Sequence, residues 1–131
     1  MYKSEFVSNV VVIAFNNMIP LVIELDNKTP RWKIPGGRKE PGETPEITAV
    51  RELKEETGII INENDLKLVQ KINLRGHDRY LYQVEIPSFA DLKQRGDGGE
   101  VVKVFTIREI QIMNNLLPPH RRLLVDMSLL T

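Results

Sequence analysis

Apolar residues in this chain fall into short β-branched runs separated by turn residues, and one segment in the middle breaks that period. Phe6 to Phe15 and Leu21 to Leu25 read as two strands, with Asn16 and Asn17 as a natural turn, so a hairpin is expected there. Leu66 to Leu74 and Tyr80 to Ile86 form two more strand-like runs around Arg75-Gly76-His77-Asp78, and Val101 to Ile107 another. The exception, Pro45 to Thr57, has a helical period. Thr44 suits its N-cap, Pro45 its first position and Glu46 its positive end, while Gly58 is placed to stop it in a left-handed conformation. Near the C-terminus Pro118 and Pro119 open a second helical stretch, in which Leu123, Leu124, Met127 and Leu130 make an apolar stripe. This order of elements predicts an α/β fold, a mixed sheet covered by helices on its two faces.

Composition narrows the reading. The 131 residues, 41% of them apolar, suffice for one domain spanning 1–131, and nothing in the chain repeats or marks a linker. Eighteen basic and eighteen acidic residues cancel, so there is no overall field to gather long nucleic acids or a membrane surface, and a small anionic ligand held locally fits better. With no cysteine, disulfides and thiol chemistry are excluded. The opening MYKSEFVSNVVVIAF has an apolar run interrupted by Asn9 and no small-residue cleavage pattern, so it reads as a core strand. No run reaches membrane-spanning length, and a cytoplasmic location is expected.

The central helix carries the chemistry. At about 100° per residue, with Glu52 at 0°, Glu56 falls near 40° and Glu55 near 300°, while Ala49, Leu53, Val50 and Ile47 lie between roughly 60° and 220°. Three carboxylates thus share one face. Such a face can simply be solvated and paired with Arg51 and Lys54. Held close together, however, like charges raise one another's pKa unless a cation lies among them, and a hard divalent ion takes carboxylate and phosphate oxygens together.

The residues around that face favour the second reading. Gly37, Glu43, Arg51, Glu52, Leu53, Glu55, Glu56, Gly58 and Ile59 fall in the pattern G, five residues, E, seven residues, R-E-U-x-E-E-x-G-U, where U is a bulky aliphatic. At residue frequencies of roughly 5 to 7%, the coincidence is below about one in 10⁸ per starting position. The segment resembles the Nudix hydrolase family, as does the approach Arg31 to Gly37, RWKIPGG.

The resemblance implies an α/β/α sandwich and Mg²⁺-dependent hydrolysis of a nucleoside diphosphate linked to another moiety, with Mn²⁺ as a possible substitute. It implies metal ligands at Glu52, Glu55, Glu56 and the Gly37 carbonyl, and a general base at Glu52 or Glu100. Glu100 is chosen because it ends the long charged segment Pro87 to Glu100 where the next strand begins, with Asp97 as second candidate. Arg51 and Glu43 are expected to brace loop against helix, placing Arg51 among the residues of the catalytic set. Gly36 and Gly37 would let the backbone turn tightly beside the metal. Arg38 and Lys39 are candidates for contact with substrate phosphates.

Trp32 could stack on a base or fill a rim. His77 and His120 are read as surface residues, His120 beginning a basic patch with Arg121 and Arg122. Oxidised or ordinary nucleoside triphosphates, ADP-ribose, nucleotide sugars and dinucleoside polyphosphates all remain open as substrates, as does monomer against homodimer. A basic groove for RNA ends is not suggested by net neutrality. The alternative from another class is a catalytically silent module of the same fold that senses a nucleotide or binds a protein. The complete carboxylate set favours catalysis.

Overall fold

A computed structural model describes residues 5–89 and 92–131. In chain order the elements are β1 (Glu5–Ala14), β2 (Met18–Ile23), β3 (Gly36–Arg38), α1 (Pro45–Thr57), β4 (Lys67–Leu74), β5 (His77–Ile86), β6 (Val101–Thr106), α2 (Ile107–Ile112) and α3 (Pro118–Asp126), with a short 3₁₀ turn at Glu63–Asp65. The main sheet runs β3-β1-β5-β4. β1 and β5 are parallel over their full lengths, and the other pairs are antiparallel. β2 and β6 form a separate antiparallel pair.

The run Val10, Val11, Val12 is wholly buried because both sheet faces are covered. Val10 and Val12 face α1, packing with Ala49, Leu53, Tyr82 and Val84. Val11 and Ile13 face the other way, with Leu21, Leu81, Ile110, Leu123 and Leu124. Alternation along one strand therefore feeds two cores, giving the expected mixed sheet between helices.

The expected β1–β2 hairpin does not form. The Asn16–Asn17 turn is present, with Asn17 at a φ of 63° and its N–H donating to the Ala14 carbonyl at 2.8 Å. The strands nevertheless leave it into different sheets, because β1 is held between β3 and β5 and β2 pairs with β6. The other bounds shift slightly. His77 is not a turn residue but begins β5, opposite Leu74 and Glu5. β6 ends at Thr106, which caps α2 reciprocally with Glu109, a helix the sequence reading did not foresee.

Candidate active site

Helix α1 has the bounds its capping residues specify. The Thr44 side chain accepts from the Ile47 N–H, and Gly58, at a φ of 80°, closes the far end by donating to the Lys54 carbonyl. The buried side of the helix is rotated from the expected aliphatic stripe. Thr48, Ala49, Leu53, Glu56 and Thr57 are buried, whereas Ile47 is 40% exposed. That rotation carries Glu56 inward, beneath the loop at Gly36.

Six loop and helix residues interlock there. Arg51 Nε donates to Glu43 Oε2 at 2.7 Å, and its terminal nitrogens reach Glu43 Oε1 at 3.0 Å, Glu55 Oε1 at 2.7 Å and the Arg38 carbonyl at 3.0 Å. Glu43 also accepts from Thr48 Oγ1 and the Glu40 N–H. The Arg51 guanidinium, with these donors, holds the Glu43 carboxyl down at about 2. Glu43 and Arg51 thus tie the loop after β3 to α1.

The carboxylates divide into two groups. Glu55 is drawn aside to Arg51. Glu56 turns under the loop, where its Oε1 accepts from the Gly36 N–H at 2.9 Å. Burial, reinforced by the charges of Glu52 and Glu100, pushes the Glu56 carboxyl up to about 8. Burial also raises Glu52, with Glu55 and Glu100 adding to the effect and Arg51 opposing it. Glu52 lies against Gly37 so closely that a Cβ there would fall 1.9 Å from its Oε2.

Glu100 arrives from the segment before β6. That segment docks on the end of α1, with the Lys93 N–H donating to the Thr57 carbonyl and the Asp97 N–H to the Glu55 carbonyl, both at 2.8 Å. Gly96 and Gly98 leave room for the Glu100 carboxylate, since a Cβ at either would lie 2.5 or 2.8 Å from its oxygens. Glu100 Oε1 is buried without a hydrogen-bond partner among the described residues. Asp97, the second candidate, is paired with Lys93 at 2.7 Å. Ala90 and Asp91 of the same segment lie outside the described residues.

Glu52 and Glu56 are thus both raised, the charge of Glu100 contributing to each, and Glu100 brings a buried oxygen without a hydrogen-bond partner among the described residues. Such a donor set suits a hard divalent cation. Among the described residues no three acidic or histidine side chains already form a metal-holding cluster, and Glu55 and Glu56 are engaged by Arg51 and the Gly36 N–H. Arg38 is exposed at the end of β3, and Lys39 Nζ lies 5.8 Å from the Phe6 ring. No bond of either side chain to the carboxylates is seen among the described residues.

His120 was expected on the surface and is instead 4% exposed. Its Nδ1 accepts from the Ile34 N–H at 2.8 Å, and burial, with Arg79 and Lys33 nearby, holds its pKa down at about 3. It therefore anchors the segment approaching the glycine loop. The expected basic patch also dissolves: Arg121 donates to the Ile110, Gln111 and Met113 carbonyls at the end of α2, and Arg122 pairs with Asp126. Sequence reasoning missed Lys33 as well, whose charge reaches Glu56 and whose Nζ bonds Glu24 at 2.7 Å.

Comparison with known proteins places this geometry. An RNA pyrophosphohydrolase of Rickettsia conorii is 32% identical over 79 residues, covering 60% of this chain and 43% of that relative, so the match spans less than half of the relative's length. A NUDIX-family hydrolase from Clostridium perfringens superposes with a TM-score of 0.76 at 17% identity, covering 98% of this chain and 97% of the other. A Francisella tularensis bifunctional NMN adenylyltransferase/ADP ribose pyrophosphatase, complexed with AMP and a Mn ion, superposes at a TM-score of 0.75 and 20% identity, covering 98% of this chain and 42% of that one. No described helix is long and apolar enough to cross a membrane. The NUDIX domain family model matches residues 5–127, and the chain belongs to that family.

Proposed function

We propose that the protein hydrolyses a nucleoside diphosphate linked to another moiety, a nucleoside triphosphate or a small diphosphate-linked nucleotide, as a Mg²⁺-dependent pyrophosphohydrolase acting as one domain. The observation that carries the reading is that Glu56 at Gly36 and Glu52 at Gly37 are both destabilised as anions by burial and by the charge of Glu100, whose Oε1 is buried without a hydrogen-bond partner among the described residues. The relatives named above include an RNA pyrophosphohydrolase and an ADP ribose pyrophosphatase, and a pyrophosphate bond in a nucleotide compound is what those two names share.

Glu52 and Glu56, with Glu55 once it leaves Arg51, would hold the cation together with the Gly37 carbonyl. Mn²⁺ would serve in its place. When bound, the cation would offset charge on the diphosphate oxygens and make a coordinated water more acidic. The chain's own contribution is positional. Arg51 and Glu43 keep the loop at a fixed distance from the helix, and Gly37 lets Glu52 close on the backbone without a side chain between them. The water that attacks phosphorus must lose a proton, and Glu52 or Glu100 would accept it; among the described residues Glu100 Oε1 has no competing donor. Arg38 and Lys39, beside the loop, would meet the phosphate chain from the solvent side.

The test is phosphate release, through a coupled phosphatase or pyrophosphatase, from nucleoside triphosphates, oxidised triphosphates, ADP-ribose, nucleotide sugars and dinucleoside polyphosphates, with and without Mg²⁺. Metal-dependent turnover that Glu56→Gln abolishes is expected. Absence of turnover on every compound with Mg²⁺ and with Mn²⁺ would favour a silent nucleotide-sensing module.

A further inference from the structure

Glu100 reaches the carboxylates of α1 on a hairpin arm that precedes β6. The Val102 N–H donates to the Gln94 carbonyl at 3.0 Å and Arg95 pairs with Val101, so residues 94–102 fold back on themselves. At the tip the Gly96 N–H donates to the Glu100 carbonyl at 2.8 Å and the Gly99 N–H to the Gly96 carbonyl at 3.0 Å, with Gly99 at a φ of 88°. The Lys93–Asp97 ion pair joins two residues of the arm to each other.

The bonds that seat the arm on α1 come from the main chain. The last carbonyls of a helix have no partner inside it. Two of these, on Glu55 and Thr57, accept from the Asp97 and Lys93 N–H groups at 2.8 Å. The arm is thereby fixed to the helical turn that carries Glu55 and Glu56.

Gly96 lies at the joint. A Cβ there would fall 2.5 Å from Glu100 Oε1, 2.7 Å from the Glu56 carbonyl oxygen and 2.9 Å from the Glu56 Cα. The helix backbone cannot yield, so a side chain at this position lifts the arm and displaces the Glu100 carboxylate together. Gly98 bears on the carboxylate alone, since the three atoms nearest a Cβ there would all belong to Glu100, the first at 2.8 Å. Neither glycine has a left-handed φ, so alanine at either acts through contact and not through backbone strain.

We infer that Gly96 is a positioning residue: its missing side chain sets the distance between the Glu100 carboxylate and the backbone of Glu56, and so places Glu100 to take the proton from the attacking water. The inference rests on the hydrolase reading above and gives the proton-accepting part in it to Glu100.

The test is a double-mutant cycle on the best substrate of the hydrolysis panel. Gly96→Ala is expected to lower kcat on the order of 10²-fold with KM little changed, the cost of misplacing a reacting group by about 1 Å. Gly98→Ala should lower kcat about tenfold, and it keeps the test valid if Gly96→Ala fails to fold. Glu100→Gln should lower kcat at least as far as either. In the Glu100→Gln background each alanine should cost less than about twofold, because the group it misplaces no longer accepts a proton. The same loss in both backgrounds would overturn the inference, since the glycines would then act on Glu56 or on the fold. A Glu100→Gln protein with the parent's kcat would also overturn it while leaving metal-dependent hydrolysis intact.

Amide hydrogen exchange reads the joint without any substrate. The Lys93 and Asp97 amides should be protected in the parent and in Gly98→Ala, and should exchange freely in Gly96→Ala. Equal protection in Gly96→Ala, or none in the parent, would overturn the seating. Absence of turnover by the parent on every panel compound would count against the hydrolase reading, and the exchange pattern would still decide whether Gly96 seats the arm.

Discussion

Arg51 grips Glu43 with two nitrogens, Nε to Oε2 at 2.7 Å and a terminal nitrogen to Oε1 at 3.0 Å, across eight residues that include the turn into α1. The fork is largely shielded, with side-chain exposures of 23% and 12%. It also aligns Arg51 on Glu55 and the Arg38 carbonyl, so one guanidinium fixes loop, helix and a carboxylate together.

Glu43→Gln keeps the shape of that fork and removes its charge. Hydrogen bonds to charged partners contribute about 1.5–3 kcal/mol, so a loss of stability of roughly that size is expected in urea unfolding. Turnover should fall less than in Glu56→Gln, because the glutamine still orients Arg51. A Glu43→Gln protein as inactive as Glu56→Gln would show that Glu43 acts on substrate directly.

Adjacent glycines should respond differently to the same change. A Cβ at Gly36 would lie 2.2 Å from the Ser8 carbonyl oxygen, a backbone atom that cannot yield without parting β3 from β1. A Cβ at Gly37 meets only the end of the Glu52 side chain, which can swing away. Gly36→Ala is therefore expected to lower the melting temperature markedly. Gly37→Ala should melt near the parent and lose turnover because Glu52 is displaced. Melting curves and kcat on both proteins separate the cases, and the reverse pattern would contradict the geometry.

The buried imidazole gives a pH signature. Its folded pKa, about 3, lies below the ordinary 6.5, so the unfolded chain binds the extra proton first. The stability that neutral His120 contributes is present above about 6.5 and is lost as pH falls toward 3, at no more than about 1.4 kcal/mol per pH unit. Arg79 and Lys33 beside it oppose its protonation. Glu43 has the same sign but begins to act only below its ordinary value of 4.5, whereas Glu56 runs oppositely, gaining stability as pH falls from about 8. The difference in unfolding free energy between parent and His120→Gln should therefore narrow from pH 6.5 to 5. A constant difference would mean that His120 takes up its proton as readily in the folded as in the unfolded chain.

What could be read from the sequence was local. The bounds of α1 follow from Thr44, Pro45 and Gly58, each acting within one turn of its own position. The Glu43–Arg51 tie and the arrival of Glu100 at the end of its segment were likewise legible, because spacing on one helix and a loop end sufficed. Long-range choices were not. His120 sits between two prolines and two arginines, a surface-like setting, and is buried by Ile34, 86 positions away. The β1–β2 hairpin failed because partners far along the chain, β5 and β6, claimed the two strands. α2 is too short for a helical period to show, although Thr106 and Glu109 carry its capping signal.

The central claim is that Glu52 and Glu56 hold a divalent cation, and Mn²⁺ binding followed by electron paramagnetic resonance tests it without any knowledge of the substrate. The parent should take up Mn²⁺ saturably, Mg²⁺ should displace it, and Glu52→Gln and Glu56→Gln should each weaken uptake severely while remaining folded by circular dichroism. Uptake equal to the parent's in both folded variants would contradict the assignment and place the cation elsewhere.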